Sequence, residues 1–367
     1  MAYTTVNKHT DYFNTVLYTG NTTAPRTITG VGFQPDWNWT KNRSATLDHW
    51  IADSVKGINS IIRTSSATTN LTNPSSGYIS ATNSDGYVIS EGSSSDDNYN
   101  TNSQNYVSWN WKAGSSNTSV SASGSGNGAI NACTYRANTT AGFSIVKYTG
   151  RNSDISNGQE TKVAHGLGVK PDFVLIKRLD GSNINWVARA AFSPLKSDYH
   201  VMINNNDART GSFYVGNGDN DDATHFVVGN SGRTNENGNE FIAYVFVNKT
   251  GYSRFGTYRG NGNADGTFVY TGFKPSFLIM KRTDATGNWL LYDNKRDIDN
   301  PTTQFLAPNS NQAESTLGTT NPITDFLSNG FKLRGSGGDG NASDGTIFYM
   351  AFGQSLVGSN NVPCTAR

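Results

Sequence analysis

The residues able to do chemistry in this 367-residue chain are few and scattered. His9, His49, His165, His200 and His225 stand in unrelated contexts, and no GxSxG, HExxH or P-loop pattern accompanies them. Acid–base work needs a convergent set of side chains, yet glutamate is confined to Glu91, Glu160, Glu236, Glu240 and Glu314. The chain therefore reads as a non-enzyme. A glycan depolymerase using aspartates is the least favoured alternative, because cleavage of a glycosidic bond takes a pair of carboxyl groups. His165, just before the Gly166-Leu167-Gly168 turn, reads as a turn residue.

Oxygen-rich loops are the other chemical feature. Ser93–Asn102, Asn230–Glu240 and Gly335–Gly345 are dense in Asp, Asn and Gly. Asp339, Asn341 and Asp344, with Asp96 and Asp97, are the candidate calcium ligands, although the spacing lacks the closing glutamate of an EF-hand. The same residue types serve tight turns, and no other cofactor is expected. Cys133 and Cys364 lie in no CxxC or Cys/His cluster and read as unpaired thiols. Aromatic residues would stack on sugar rings if exposed, but most alternate along strands and so read as core.

Three similar stretches must position these residues. Each opens on a short strand ending in a glycine turn: NTVLYTGN to Asn21, FSIVKYTGR to Arg151 and SRFGTYRGN to Asn261. A Gly/Pro turn follows, with Pro35, Pro171 and Pro275 aligned without gaps ahead of an apolar run. Those runs end in the basic pairs Lys41/Arg43, Lys177/Arg178 and Lys281/Arg282. An aromatic strand after Trp50 is matched to Asn185–Ala190 and Asn288–Asp293. Polar-turn strands come next at 84–90, 223–229 and 328–334, then aromatic closing strands at 106–111, 241–246 and 348–352. Trp109, Tyr244 and Phe352 are aligned as core rings.

At least five short strands in each stretch of about 100 residues predict an all-β fold of three tandem β-sandwich or jelly-roll-like repeats. The boundaries are 1–112, 141–249 and 250–355, with a Gly/Ser/Asn-rich linker over 113–140 and a tail over 356–367. Within the linker, Ala113–Ala129 has almost no side chain that would anchor a core and is expected to be extended and weakly packed.

A formal charge of +1, from 29 basic and 28 acidic residues, provides no field for nucleic acid or an anionic membrane. No stretch approaches a membrane span, and the N-terminus shows no basic region followed by an apolar one. Synthesis in a cytoplasm is expected, and the Asn-X-Ser/Thr sequons are given no glycosylation role.

The opening MAYTTVNKHTDYFNTVLYTGN, the ITGVGFQPD block, YVSWNWKAG, the stretch from Gly251 to Trp289 and the DFLSNGFKL and NASDGTIFYMAF segments resemble a family of repeat proteins of marine tailed bacteriophages. The resemblance runs from about Ala2 to Gln354. It implies a virion structural protein on the particle exterior, with lectin-like sandwiches, and supplies no catalytic residue. The expected partners are other virion proteins, host-surface carbohydrate and further copies of the chain. The expected roles are a tail-associated adhesin or fibre-like component or, alternatively, a capsid decoration or head-appendage protein.

Overall fold

The structure, a computed structural model, describes residues 4–355 apart from 96, 182, 193, 196–198, 212–214 and 319–321. Among them it is all-β and antiparallel, with one four-residue α-helix at Gly338–Asn341. No helix among these residues is long and apolar enough to cross a membrane.

One strand order occurs three times. An opening strand pairs with a closing strand, which pairs with the inner strand at the aligned proline, which pairs with a return strand. In the first unit these are Phe13–Thr19, Asn105–Trp111, Trp37–Asn42 and His49–Asp53. The second unit uses Phe143–Thr149, Glu240–Phe246, Phe173–Arg178 and Val187–Ala190. Ser253–Arg259, Thr346–Gln354, Lys274–Arg282 and Trp289–Asp293 form the third. Register is shared as well: Trp37↔Trp111, Phe173↔Phe246 and Phe277↔Phe352 each lie two residues after the aligned proline.

Opposite each large sheet lies a small one. In it Arg26–Ile28, Glu160–Ala164 and Phe268–Tyr270 pair with Gly86–Ser90, His225–Gly229 and Gly330–Leu333. Each unit closes its own core between the two layers, around Ile89, Val228 or Leu333.

The TyrXGly turn recurs because one arrangement holds it. The hydroxyls of Tyr18, Tyr148 and Tyr258 donate to the carbonyls of Tyr99, Thr234 and Gly340 at 2.8, 2.5 and 2.6 Å. The next residues are Asn100, Asn235 and Asn341, all fully buried, and their Oδ1 atoms accept the backbone N–H groups of Asn21, Arg151 and Asn261. A Cβ on Gly20, Gly150 or Gly260 would be driven into the carbonyl of Thr101, Glu236 or Ala342.

The other face of each large sheet is also buried, and here the three units meet. Trp37, Trp109 and Trp111 pack with Phe143, Tyr244 and Phe246 and with Phe277, Phe348 and Phe352 in one shared core. The seams around it form a head-to-tail ring. Asn70 N–H donates to Leu179 O, Arg209 N–H to Thr283 O and Glu314 N–H to Arg43 O, which links unit one to two, two to three and three to one. Lys177 Nζ reaches Ala67 O of unit one, Lys281 Nζ reaches Asn206 O of unit two and Lys41 Nζ reaches Asn311 O of unit three. All three lysines are fully buried, and desolvation pushes each down to about 8.

Several expectations are corrected. The stretch 113–140 is not simply a linker: Thr118–Val120 and Cys133–Asn138 extend the second large sheet to six strands. Its small polar side chains are compatible with an edge strand, where one face needs no burial. Ala113 and Ala129 are buried and the residues between them mostly exposed. The first return strand starts at His49 and includes Trp50 rather than following it, and His49 lies opposite Lys41 as Trp289 lies opposite Lys281. Trp109 and Tyr244 correspond to Met350, whereas Phe352 corresponds to Trp111 and Phe246. The tail over 356–367 lies outside the described residues.

Candidate functional site

All seven tryptophans are buried, so the surface aromatics are the informative ones. Phe268 and Tyr270 are 44% and 61% exposed, on either side of buried Val269 in an edge strand of the third small sheet. Alternation turns both rings away from the core while Val269 packs inward with Phe331. The equivalent strands provide an internal control. Ile28 opposite Tyr87 and Val163 opposite Phe226 occupy the place of Val269 opposite Phe331. The flanking positions are therefore the exposed Thr27 and Thr29 in unit one and the half-buried Lys162 and buried Ala164 in unit two. The strand folds without aromatics there, so its packing does not account for Phe268 and Tyr270.

Tyr270 lines a cleft of about 170 Å³ together with Asn248, Lys249, Thr250, Arg254 and Thr271. Its walls are fixed. Asn248 donates its N–H and its Nδ2 to the two oxygens of Asp172, both at 2.7 Å, and its Oδ1 accepts from Phe255 N–H at 2.7 Å. Lys249 begins a turn in which its N–H meets Ser253 O at 3.1 Å, and Gly251 supplies the φ of +75°. Asp172 lies beneath this wall, with its carboxyl raised by burial, and contributes nothing to the lining. The site thus offers one exposed ring face, two cationic side chains and neutral hydrogen-bonding groups. Such a set can hold a sugar, with the ring against the pyranose C–H face, but it provides no acid–base pair.

A larger cleft of about 390 Å³ lies between units one and two, lined by Gln34, Asp36, Lys112 and Arg136. Asp36 is fully engaged there. It accepts from Arg136 Nη1 at 2.6 Å and from Ser54 Oγ and Ala113 N–H, both at 2.9 Å. This carboxylate is a bolt between units.

The candidate calcium ligands serve other partners. Asn341 is the buried lock of the third TyrXGly turn, and its Nδ2 donates to the carbonyls of Asn263 and Gly335. Asp339 Oδ2 accepts Asn288 N–H at 3.2 Å, and Asp344 takes a left-handed turn with φ 57°. Asp97 accepts from Ser95 Oγ and Thr101 Oγ1 at 3.0 and 3.1 Å. Asp96 lies outside the described residues. Among the described residues no three His, Cys, Asp or Glu side chains gather to hold a metal.

The histidines are structural in their contacts. His9 binds Gln354 and is lowered to about 4 by burial. His49 Nδ1 accepts from Trp39 Nε1 at 3.1 Å, and His165 Nδ1 from Leu167 N–H at 3.2 Å. His200 is buried. Thr224 Oγ1 lies 2.7 Å from His225 Nδ1, but Asp222 meets that hydroxyl at 2.6 Å and lies 3.8 Å from the imidazole nitrogen. A carboxylate that orients the hydroxyl rather than the base does not form a relay. Cys133 is buried, with its thiol pushed up to about 11.

The Phe268/Tyr270 pair was missed in the sequence because outward positions were not compared across the units. Aligning FVY with TIT (27–29) and KVA (162–164) along the edge strands is the signal that finds it.

A protein-family profile described as a domain of unknown function, DUF7483, matches residues 8–355. The chain belongs to the DUF7483 family. The match spans all three units and both sides of the Tyr270 cleft. No curated protein and no solved structure matches the chain.

Proposed function

We propose that this DUF7483 chain is a non-enzymatic structural protein of a phage particle's exterior that binds host-surface carbohydrate at the Tyr270 cleft. In this reading its body is three tandem β-sandwich repeats closed into a ring. The particle assignment rests on the motifs that resemble marine tailed-phage proteins. The binding assignment rests on one observation: outward aromatics at Phe268 and Tyr270, beside a polar cleft, where the equivalent strands do without them.

The tail-associated adhesin is the favoured role. Its test is immunogold labelling of purified particles combined with binding of the purified chain to host envelope glycans. Tail-localised label and binding that is lost in Tyr270→Ala support it. Label on the head, with no glycan binding, favours capsid decoration instead. That alternative has an observation of its own, since the head-to-tail ring of three seams matches the symmetry of a trimeric partner. Release of reducing sugar by the purified chain would establish the depolymerase and overturn the non-enzymatic reading.

A further inference from the structure

We infer that the Tyr270 cleft recognises an anionic saccharide, one carrying a carboxylate or a sulfate ester, an assignment that rests on the carbohydrate reading above. Lys249 and Arg254 both line the cleft, and no carboxylate does. Among the described residues neither cation forms an ion pair, although most of the chain's other buried or half-buried cations find a carboxylate or a cradle of carbonyls.

The cleft between units one and two shows the difference. There Arg136 is neutralised by Asp36 at 2.6 Å, so the site supplies its own counter-charge. The matching carboxylate between units two and three is Asp172, and both of its oxygens are engaged by Asn248. Arg254 is exposed, and Lys249 is half-buried, with desolvation as the one cause acting on its ammonium. Lys249 is partly dehydrated and has no carboxylate beside it, so it gains most from an anionic ligand through charge-assisted hydrogen bonds. Arg254, which meets the Tyr349 hydroxyl and acts at longer range on Asp172, adds positive charge next to it. Tyr270 would supply the stacking face next to that charge.

The test is an array of matched saccharide pairs, each uronate, sialoside or sulfate ester printed beside its neutral counterpart, probed with the full chain. The expected result is binding to acidic members roughly tenfold tighter than to their neutral partners, weakening as salt is raised. Lys249→Gln combined with Arg254→Gln should abolish that preference, and Tyr270→Ala should lower binding to both members. Arg254 and Tyr270 are exposed and Lys249 is half-buried, so an unchanged melting temperature is the check on the fold of each variant. Equal binding to both members, lost in Tyr270→Ala, overturns the anionic assignment and leaves the saccharide site standing. Binding to no pair, or binding that survives every variant, overturns the site itself.

Discussion

The Tyr244 hydroxyl of the second unit donates to the Asp53 carboxylate of the first at 2.9 Å, wholly within the buried interior. Trp109 Nε1 of the first unit donates in the same way to Asp293 of the third at 3.0 Å. At the remaining seam the register places Met350 and Ala190, which lack both the donor and the acceptor. Donor and acid therefore occur together or not at all.

Tyr244→Phe should cost about 1–3 kcal/mol, because it leaves a buried carboxylate one donor short. Asp53 retains Lys56 at 3.3 Å and the N–H groups of Val55 and Lys56, which keeps the loss below that of an unpaired charge. A double-mutant cycle with Asp53→Asn, read by denaturant unfolding, should show coupling between the two positions. Independent, additive losses would contradict a direct bond.

Truncating Trp109, Tyr244 or Phe352 to alanine should cost roughly 3–5 kcal/mol each, since all three rings lie in the shared core. Asp344→Asn should stay within about 0.5 kcal/mol, because that side chain faces a surface turn. Melting curves distinguish the two classes.

Chelator should leave the wild-type melting temperature unchanged, because the Asn341 carboxamide is already committed to the third TyrXGly turn. Asn341→Ala should destabilise by about 1–3 kcal/mol for each buried group left unpaired, with or without chelator. A chelator-dependent drop would instead establish a bound cation.

Lys41, Lys177 and Lys281 give a signed pH dependence. Their folded values near 8 lie below the ordinary 10.5, so between those limits the unfolded chain binds more protons and stability rises with pH. The ceiling is roughly 3 kcal/mol per lysine. The carbonyls around Lys41 Nζ, those of Ala45, Leu47 and Asn311, offset part of it by favouring the ammonium. Relative to Lys281→Met, the wild type should therefore gain melting temperature from pH 8 to pH 10. Parallel curves would remove the lysine from the account.

Residues 250–355 expressed alone should aggregate or remain unfolded. Phe255, Phe277, Trp289, Phe348 and Phe352 are buried in the core shared with the other two units, and isolation would expose them as one apolar patch. A sharp, monomeric melt of that fragment would show that each unit is self-sufficient.

The strand plan was legible because Gly and Pro mark turns chemically: Pro35 and Pro171 lead into their inner strands, and Pro275 stands as the second residue of the third, just before its register shift at Phe277. Burial on both faces was harder to read. In YVSWNW the tryptophans alternate with Ser108 and Asn110, a pattern that suggests one wet face. Both of those polar residues are fully buried, and Asn38 Nδ2 bonds Asn110 Oδ1 at 2.8 Å. Alternation reports chemistry along a strand and says nothing of what a second layer supplies. Closing-strand register failed for a related reason: matching aromatic with aromatic placed Phe352 opposite Trp109, where pairing places Met350. The Tyr270 cleft was illegible from local pattern because Asn248, Arg254 and Tyr270 come together only through the turn at Lys249 and the packing of two layers.

A ring whose three seams lie on one polypeptide is free of a constraint that binds a trimer of identical chains. In such a trimer every substitution is written three times, so a feature useful at one corner must be tolerated at all. Here each corner is specified separately. One seam can hold tyrosine against aspartate, another tryptophan against aspartate and the last methionine against alanine, and an aromatic pair can stand at a single corner. The frame retains the rigidity of near-symmetry while its outer surface has a direction, so a molecule bound at Tyr270 would be held once, in one orientation.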